Sequence, residues 1–294
     1  MSTYLPKLKK ILILTPNFVG SAFFQRSITL YLNMQGITTK NYDDLARFGP
    51  DLNSLIGTLN TSNNSVVARV SPNTVKKFEK YKDSYLKFCN TFFTDIYVIN
   101  RCFFESAISY CNTTLNDGKL NVYSKKEYLA NTTMPYAISK NKFIASLKYF
   151  EYFYIWVDTY FPVHKKLNHE DIVYNTDNTY KDIFNLPDNK YSITDYNKIN
   201  FSHVRDKDLG NYSKSSLTNY ININYYIQDL VDNSLLLPDA FPIKKLTLKE
   251  KTDNILNFKE LLDIYNNYPS NHFNKLTESQ ITNRIEKEQI FWTT

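Results

Sequence analysis

Three short apolar runs, each closed by a turn or a charge and followed by a helical pattern, constrain this chain more than any other feature. The first is Lys9-Lys10-Ile11-Leu12-Ile13-Leu14-Thr15, bounded by charge and by Pro16. The second, Ser65–Val70, stops at Ser71-Pro72, and the third, Asp95–Asn100, stops at Arg101. Runs that are apolar at successive positions lack the alternation of a half-exposed strand, so each predicts a central strand buried on both faces. Helical spacing follows: Phe23, Phe24, Ile28, Leu30, Tyr31 and Leu32 recur over 22–34, and a third helix is expected over 104–112. Between them, Ser71 as N-cap and Pro72 at the first helical position open a helix to about Phe88, with Val75, Phe78, Tyr81, Tyr85 and Phe88 near one face. Leu52 to Leu59 predicts another short helix. Alternating strands and helices with repeated crossovers predict the α/β class, a central parallel sheet flanked by helices. In such sheets ligands bind along the carboxyl edge, where the Pro16–Ser21 loop and Arg101 both fall.

After about residue 135 the pattern is mostly helical. Phe143 to Phe161 predicts a long helix, aromatic on all sides through Tyr149-Phe150-Glu151-Tyr152-Phe153-Tyr154-Ile155-Trp156. Apolar character all round fits a core or packing helix, and aromatics also suit an oligomer contact. Lys165 to Val173 predicts one more strand and Thr179 to Phe184 a small helix. Beyond residue 190 the chain is rich in Asn and Tyr, with helices expected at 216–235, 248–267 and 277–291. The expected organisation is an α/β domain over 1–190 with a helical extension, 191–294, packed on it.

Composition excludes several classes. No apolar run approaches the ~18–20 residues of a membrane span. The basic start lacks an apolar core of signal-peptide length and a small-residue cleavage site, so a cytoplasmic protein is expected. Cys89, Cys102 and Cys111 are odd in number and form no metal-binding pair, as expected of reduced thiols. The abundance of Asn, Lys, Ile, Tyr and Phe follows from AT-rich coding, which suits bacteria and their viruses, so the 24 Tyr do not by themselves indicate base stacking. Gly numbers only 6, about 2% of the chain against a typical ~7%, which makes each one worth reading. Residues 1–101 carry 13 Lys/Arg against 6 Asp/Glu, and the remainder 22 against 23, so the whole excess of positive charge sits in the first third. A solvated lysine-rich face explains that plainly; a pocket for a polyanionic small molecule, or a nucleic-acid patch, is the sharper reading.

Two segments carry chemistry. Thr15-Pro16-Asn17-Phe18-Val19-Gly20-Ser21-Ala22 joins a strand to a helix. A helix N-terminus presents unpaired N–H groups and a positive dipole end, and Gly lets backbone approach a phosphate. The spacing is not that of a Walker A loop. Arg101 at a strand end is followed by Glu105 and, eight residues on, by Ser109 in the next helix. Arg and Ser there could converge on one anion, the guanidinium as a planar fork and the hydroxyl as a single donor. The other reading is a helix-start salt bridge between Arg101 and Glu105.

In order, spacing and context these segments resemble the P-loop-related sulfotransferases that use 3′-phosphoadenosine 5′-phosphosulfate. Thr15-Pro16 and Gly20-Ser21 match that family's phosphosulfate loop, and Arg101, Glu105 and Ser109 match its 3′-phosphate strand and helix. His169-Glu170-Asp171-Ile172-Val173, followed by Thr179–Leu186, looks similar to a third family segment. The resemblance covers roughly residues 9–187. It implies a nucleotide-binding domain in which Pro16, Gly20, Ser21 and Ala22 hold the phosphosulfate while Arg101 and Ser109 hold the 3′-phosphate. No metal is implied. The family's basic residue before the Gly is replaced by Asn17, Phe18 and Val19, a loop Thr by Ala22, and a His after the second strand by Ser71. Arg26 and Arg69 are the nearest cations, and Arg69 is the candidate to stabilise charge on the departing phosphate. His164, His169, His203, Glu105 and Glu170 are candidates for the acceptor's base, with His169 preferred.

The implied activity is sulfuryl transfer to a hydroxyl or amine of an unknown acceptor. The alternative is a degenerate member of the fold that serves as a structural or interaction component of a larger assembly, for instance a viral particle. A homo-oligomer fits either; nucleic acid and membrane are not expected partners.

Overall fold

The apolar runs form the centre of a five-stranded sheet in which every pairing is parallel. The computed structural model describes residues 8–16, 21–42, 45, 51–60, 63–77, 79–115, 135–186 and 248–293. Strand β1 is Lys10–Leu14, β2 Thr39–Tyr42, β3 Ser65–Val70, β4 Asp95–Asn100 and β5 Lys165–Asn168. Their order is β2-β3-β1-β4-β5. Leu12 of β1 lies opposite Ala68 on one side and Ile96 on the other. Ile11 to Leu14 are fully buried, as are Val67, Ala68 and Tyr97 to Ile99, so both faces of the central strands are covered. The chain is an α/β protein, as its alternation predicts.

Strand β2 escapes the sequence reading because Thr-Lys-Asn-Tyr has no apolar run. It is a four-residue edge strand, paired on one side only, and needs little burial. Its counterpart β5, Lys-Lys-Leu-Asn, is the other edge. It stops at Asn168, and the chain turns into helix at His169, so the strand expected over Lys165–Val173 is half that length.

Helix α1, Ser21–Met34, and α2, Leu52–Asn60, precede β3. Helix α1 ends in a Schellman motif: Gly36 N–H bonds Asn33 O at 2.9 Å, Ile37 N–H bonds Leu32 O at 2.9 Å, and Gly36 takes φ +75°. After β3 the expected continuous helix is divided. Helix α3, Pro72–Lys77, gives way to a 3₁₀ turn at Glu79–Tyr81, and α4 runs Lys82–Phe92. The turn resets the helical phase, which is why Tyr81 is 43% exposed while Val75 and Tyr85 are buried.

Helix α5, Phe103–Leu115, packs along α6, Lys140–Tyr160. Helix α6 is the aromatic helix; Phe143, Phe150, Phe153, Tyr154 and Trp156 are buried, and Tyr152 and Ile155 form its outer face. The Tyr154 hydroxyl donates to Ile99 O in β4 at 3.2 Å, pinning α6 to the sheet. Helices α7, His169–Tyr174, and α8, Thr176–Phe184, follow β5. Tyr180 of α8 is wholly buried against Phe24 and Tyr31 of α1, and its hydroxyl pairs with Ser27.

The C-terminal helices are α9, Leu248–Asn254; α10, Phe258–Asn266; and α11, Glu278–Thr293. The break between α9 and α10 has a cause. Tyr136 N–H bonds Asn254 O and Leu256 N–H bonds Tyr136 O, both at 2.9 Å, as a short parallel bridge. The Asn257 side chain then pairs with both backbone groups of Ile138. Phe104 of α5 sits edge-on to Phe258 and Tyr265 of α10, which joins these helices to the sheet domain. The helix expected over 216–235 lies outside the described residues.

Candidate functional site at the carboxyl edge

The strand order decides where a ligand can sit. From β1 the chain leaves toward β2, and from β4 it leaves toward β5, on opposite sides of the sheet. The carboxyl ends of these adjacent strands therefore flank a topological switch point, the crevice where open α/β sheets bind ligands.

On the β1 side, Thr15 N–H bonds Val70 O at 3.0 Å, extending the β1–β3 ladder one residue past the strand. Thr15 and Pro16 are buried. Gly20, with Asn17, Phe18 and Val19, lies outside the described residues. Helix α1 begins at Ser21, which is 7% exposed, and Ala22 is its second residue. Arg69 comes from β3, in register with Ile13 of β1, and its Nη1 donates to Ser21 Oγ at 3.2 Å. A half-buried guanidinium thus meets the positive end of a 14-residue helix. Both favour negative charge at that point.

On the β4 side, Arg101 is 7% exposed and lies immediately past the strand. Its Nη2 is 3.7 Å from Glu105 Oε2, so the helix-start salt bridge is formed. Ser109 is half-buried one turn further along α5, on the face shared by positions four apart. Asn100 Nδ2 donates to Asn168 Oδ1 at 3.3 Å, tying the carboxyl ends of β4 and β5. His169 follows Asn168 as the first residue of α7.

The two candidates for chemistry are not neighbours in this arrangement. Arg69 is on β3 and His169 follows β5, with β1 and β4 between them, roughly 14 Å at ~4.8 Å per strand. Of the other bases, His164 precedes β5 and so lies at the opposite, amino edge, where its Nδ1 pairs with Phe161 O at 2.8 Å. Glu105 and Glu170 are both engaged by Arg284. His203 lies outside the described residues. Among the described residues no group of three or more His, Cys, Asp and Glu is placed to hold a metal ion.

Arg284 is the residue that sequence reading misses. Its Nε donates to Glu105 Oε1 at 2.7 Å and its Nη1 pairs with Glu170. The partner Glu105 is 179 positions away, and a lone Arg in a polar helix gives no local sign of such a tie. Three neutral groups lie beside the cluster. Burial pushes the Cys102 thiol up to about 12, with Glu105 adding to the rise. Burial likewise raises Tyr174 and Tyr265, so all three stay protonated at neutral pH.

These features define an α/β protein with two arginine-bearing loci on the carboxyl edge of a parallel sheet. Comparison with family models, curated proteins and solved structures finds no match. Among the described residues no helix is long and apolar enough to cross a membrane.

Proposed function

We propose that the chain is a sulfotransferase-like protein that binds 3′-phosphoadenosine 5′-phosphosulfate across the β1–β4 switch point and transfers its sulfuryl group to a hydroxyl or amine. The observation that carries this reading is the placement of Arg69 with Ser21 on one side of that crevice and of Arg101, at the end of β4, on the other. Two guanidinium donors, on opposite sides of one crevice, suit a small molecule with two separated anionic groups. Ser21 and the first turn of α1 receive the 5′-phosphosulfate, with Pro16, Gly20 and Ala22 shaping the loop and helix start. Arg101 and Ser109 receive the 3′-phosphate.

In the transfer, the bond between sulfur and the phosphate oxygen breaks while the acceptor's oxygen or nitrogen bonds to sulfur. Negative charge then grows on the phosphate, where Arg69 and the α1 dipole oppose it. The acceptor's proton passes to a base. His169 is the candidate for that role on the carboxyl edge; for it to act, the acceptor's reacting atom has to lie over the β4 end, between the sulfur and the imidazole.

Calorimetric titration with adenosine 3′,5′-bisphosphate tests the reading. The protein should bind it, and Arg101→Ala should remove binding. No heat at millimolar nucleotide would overturn the proposal. One observation favours the second reading, a fold kept as a component of a larger assembly. The Arg101, Glu105, Arg284 and Glu170 side chains already form a continuous ionic chain from the end of β4 through α5 and α11 to α7. A stable monomer that turns over the donor would dismiss that reading.

A further inference from the structure

Glu105 is shared unequally between two arginines. Arg284 makes a 2.7 Å hydrogen bond to Oε1, while Arg101 stands at 3.7 Å from Oε2, beyond hydrogen-bond distance. The carboxylate's strong charge-assisted bond therefore goes to the C-terminal helix. Arg284 reaches it from α11 and is anchored from the other side by Glu170 of α7. Glu288, one turn further along α11, adds another acidic charge near Tyr174. At 13% exposure Glu105 is poorly solvated, and Cys102 and Tyr265 beside it are neutral, so the competition between the two guanidinium groups is weakly screened.

We infer that Arg284 is a positioning residue for the anion site: by holding Glu105, it leaves the Arg101 guanidinium able to exchange that carboxylate for a phosphate. The inference rests on the reading of Arg101 as the phosphate ligand. Without Arg284, Glu105 closes on Arg101, and an incoming phosphate has to displace a buried carboxylate first. The C-terminal helix then contributes to nucleotide affinity without touching the nucleotide. A role confined to docking the helix makes a different prediction, because Glu105→Gln weakens the same tie and should then lower affinity as Arg284→Ala does.

A double-mutant cycle read by calorimetry with adenosine 3′,5′-bisphosphate separates these cases. Arg284→Ala should weaken binding about tenfold, the worth of one charge-assisted hydrogen bond. Glu105→Gln, nearly isosteric and still able to accept from Arg284, should bind at least as tightly as the unaltered protein. Arg284→Ala combined with Glu105→Gln should return to the affinity of Glu105→Gln alone. Loss of binding in Glu105→Gln overturns the inference, and this variant serves even if Arg284→Ala fails to fold. A loss in Arg284→Ala that Glu105→Gln does not reverse also overturns it, as does unchanged affinity in Arg284→Ala. In those cases Arg101→Ala still reports on the phosphate reading. Absence of binding by the unaltered protein overturns both.

Discussion

Replacing Cys89 should change how the stability of this protein responds to alkali. Cys89 is fully buried in α4. Burial lifts its thiol from 9.0 to about 12, against a partial opposing pull from the Tyr85 hydroxyl. The fold therefore holds this proton more tightly than the unfolded chain does. The stability it contributes is complete below pH 9 and drains as pH rises from 9 toward 12. At pH 10 the unfolded thiol is mostly ionised and the folded one is not, a difference of about 1.4 kcal/mol for this single group. Cys89→Ala removes that contribution and leaves a small cavity costing ~1 kcal/mol at neutral pH. Urea unfolding at half-unit steps from pH 7 to 10 should show the variant less stable at pH 7 and the gap closing, or reversing, by pH 10. Cys102 and the buried tyrosines titrate alike in both proteins and cancel in the comparison. Two curves that stay parallel throughout this range would refute the reasoning.

Further expectations concern the fold around the site. Gly36→Ala should cost ~1–2 kcal/mol in urea unfolding through its φ of +75° alone, because an added Cβ meets nothing within 4 Å. Gly36→Asn should cost less, since Asn tolerates that region; equal losses would contradict a purely backbone cause. Phe104→Ala, which empties the space between Phe143, Phe258 and Tyr265, should cost about 3–5 kcal/mol. The same change should expose the 248–293 helices to protease before the sheet, and uniform cleavage would argue against Phe104 as their joint.

The sheet's centre was legible because physics writes it locally. Ile11–Leu14, Val66–Ala68 and Ile96–Ile99 are contiguous apolar runs, as a strand buried on both faces needs. The edge strand Thr39–Tyr42 was not legible, since it is polar and owes its strand state to a neighbour's hydrogen bonds, while the edge expected over Lys165–Val173 exists but stops at Asn168. Helix interruptions were missed for a related reason. Nothing in Leu248–Asn267 announces that Tyr136, more than a hundred residues earlier, will capture the backbone at Asn254 and Leu256. At the site, Arg101 and Glu105 could be paired from their spacing alone. Ser21 and Arg69 could be suspected separately, but their contact depends on β3 lying beside β1. Arg284 was out of reach, because its partners belong to elements far away along the chain.

The two edge strands also govern how this molecule can associate. Each is only four residues long, and Lys40, Lys165 and Lys166 on them are exposed. A neighbouring chain adding a strand there would gain few backbone hydrogen bonds and would have to accommodate lysine charge. The described sheet is thus closed to growth at both ends. Copies or partners of this protein should meet it through helices and loops, and it should resist the edge-to-edge stacking that makes exposed parallel sheets prone to fibres.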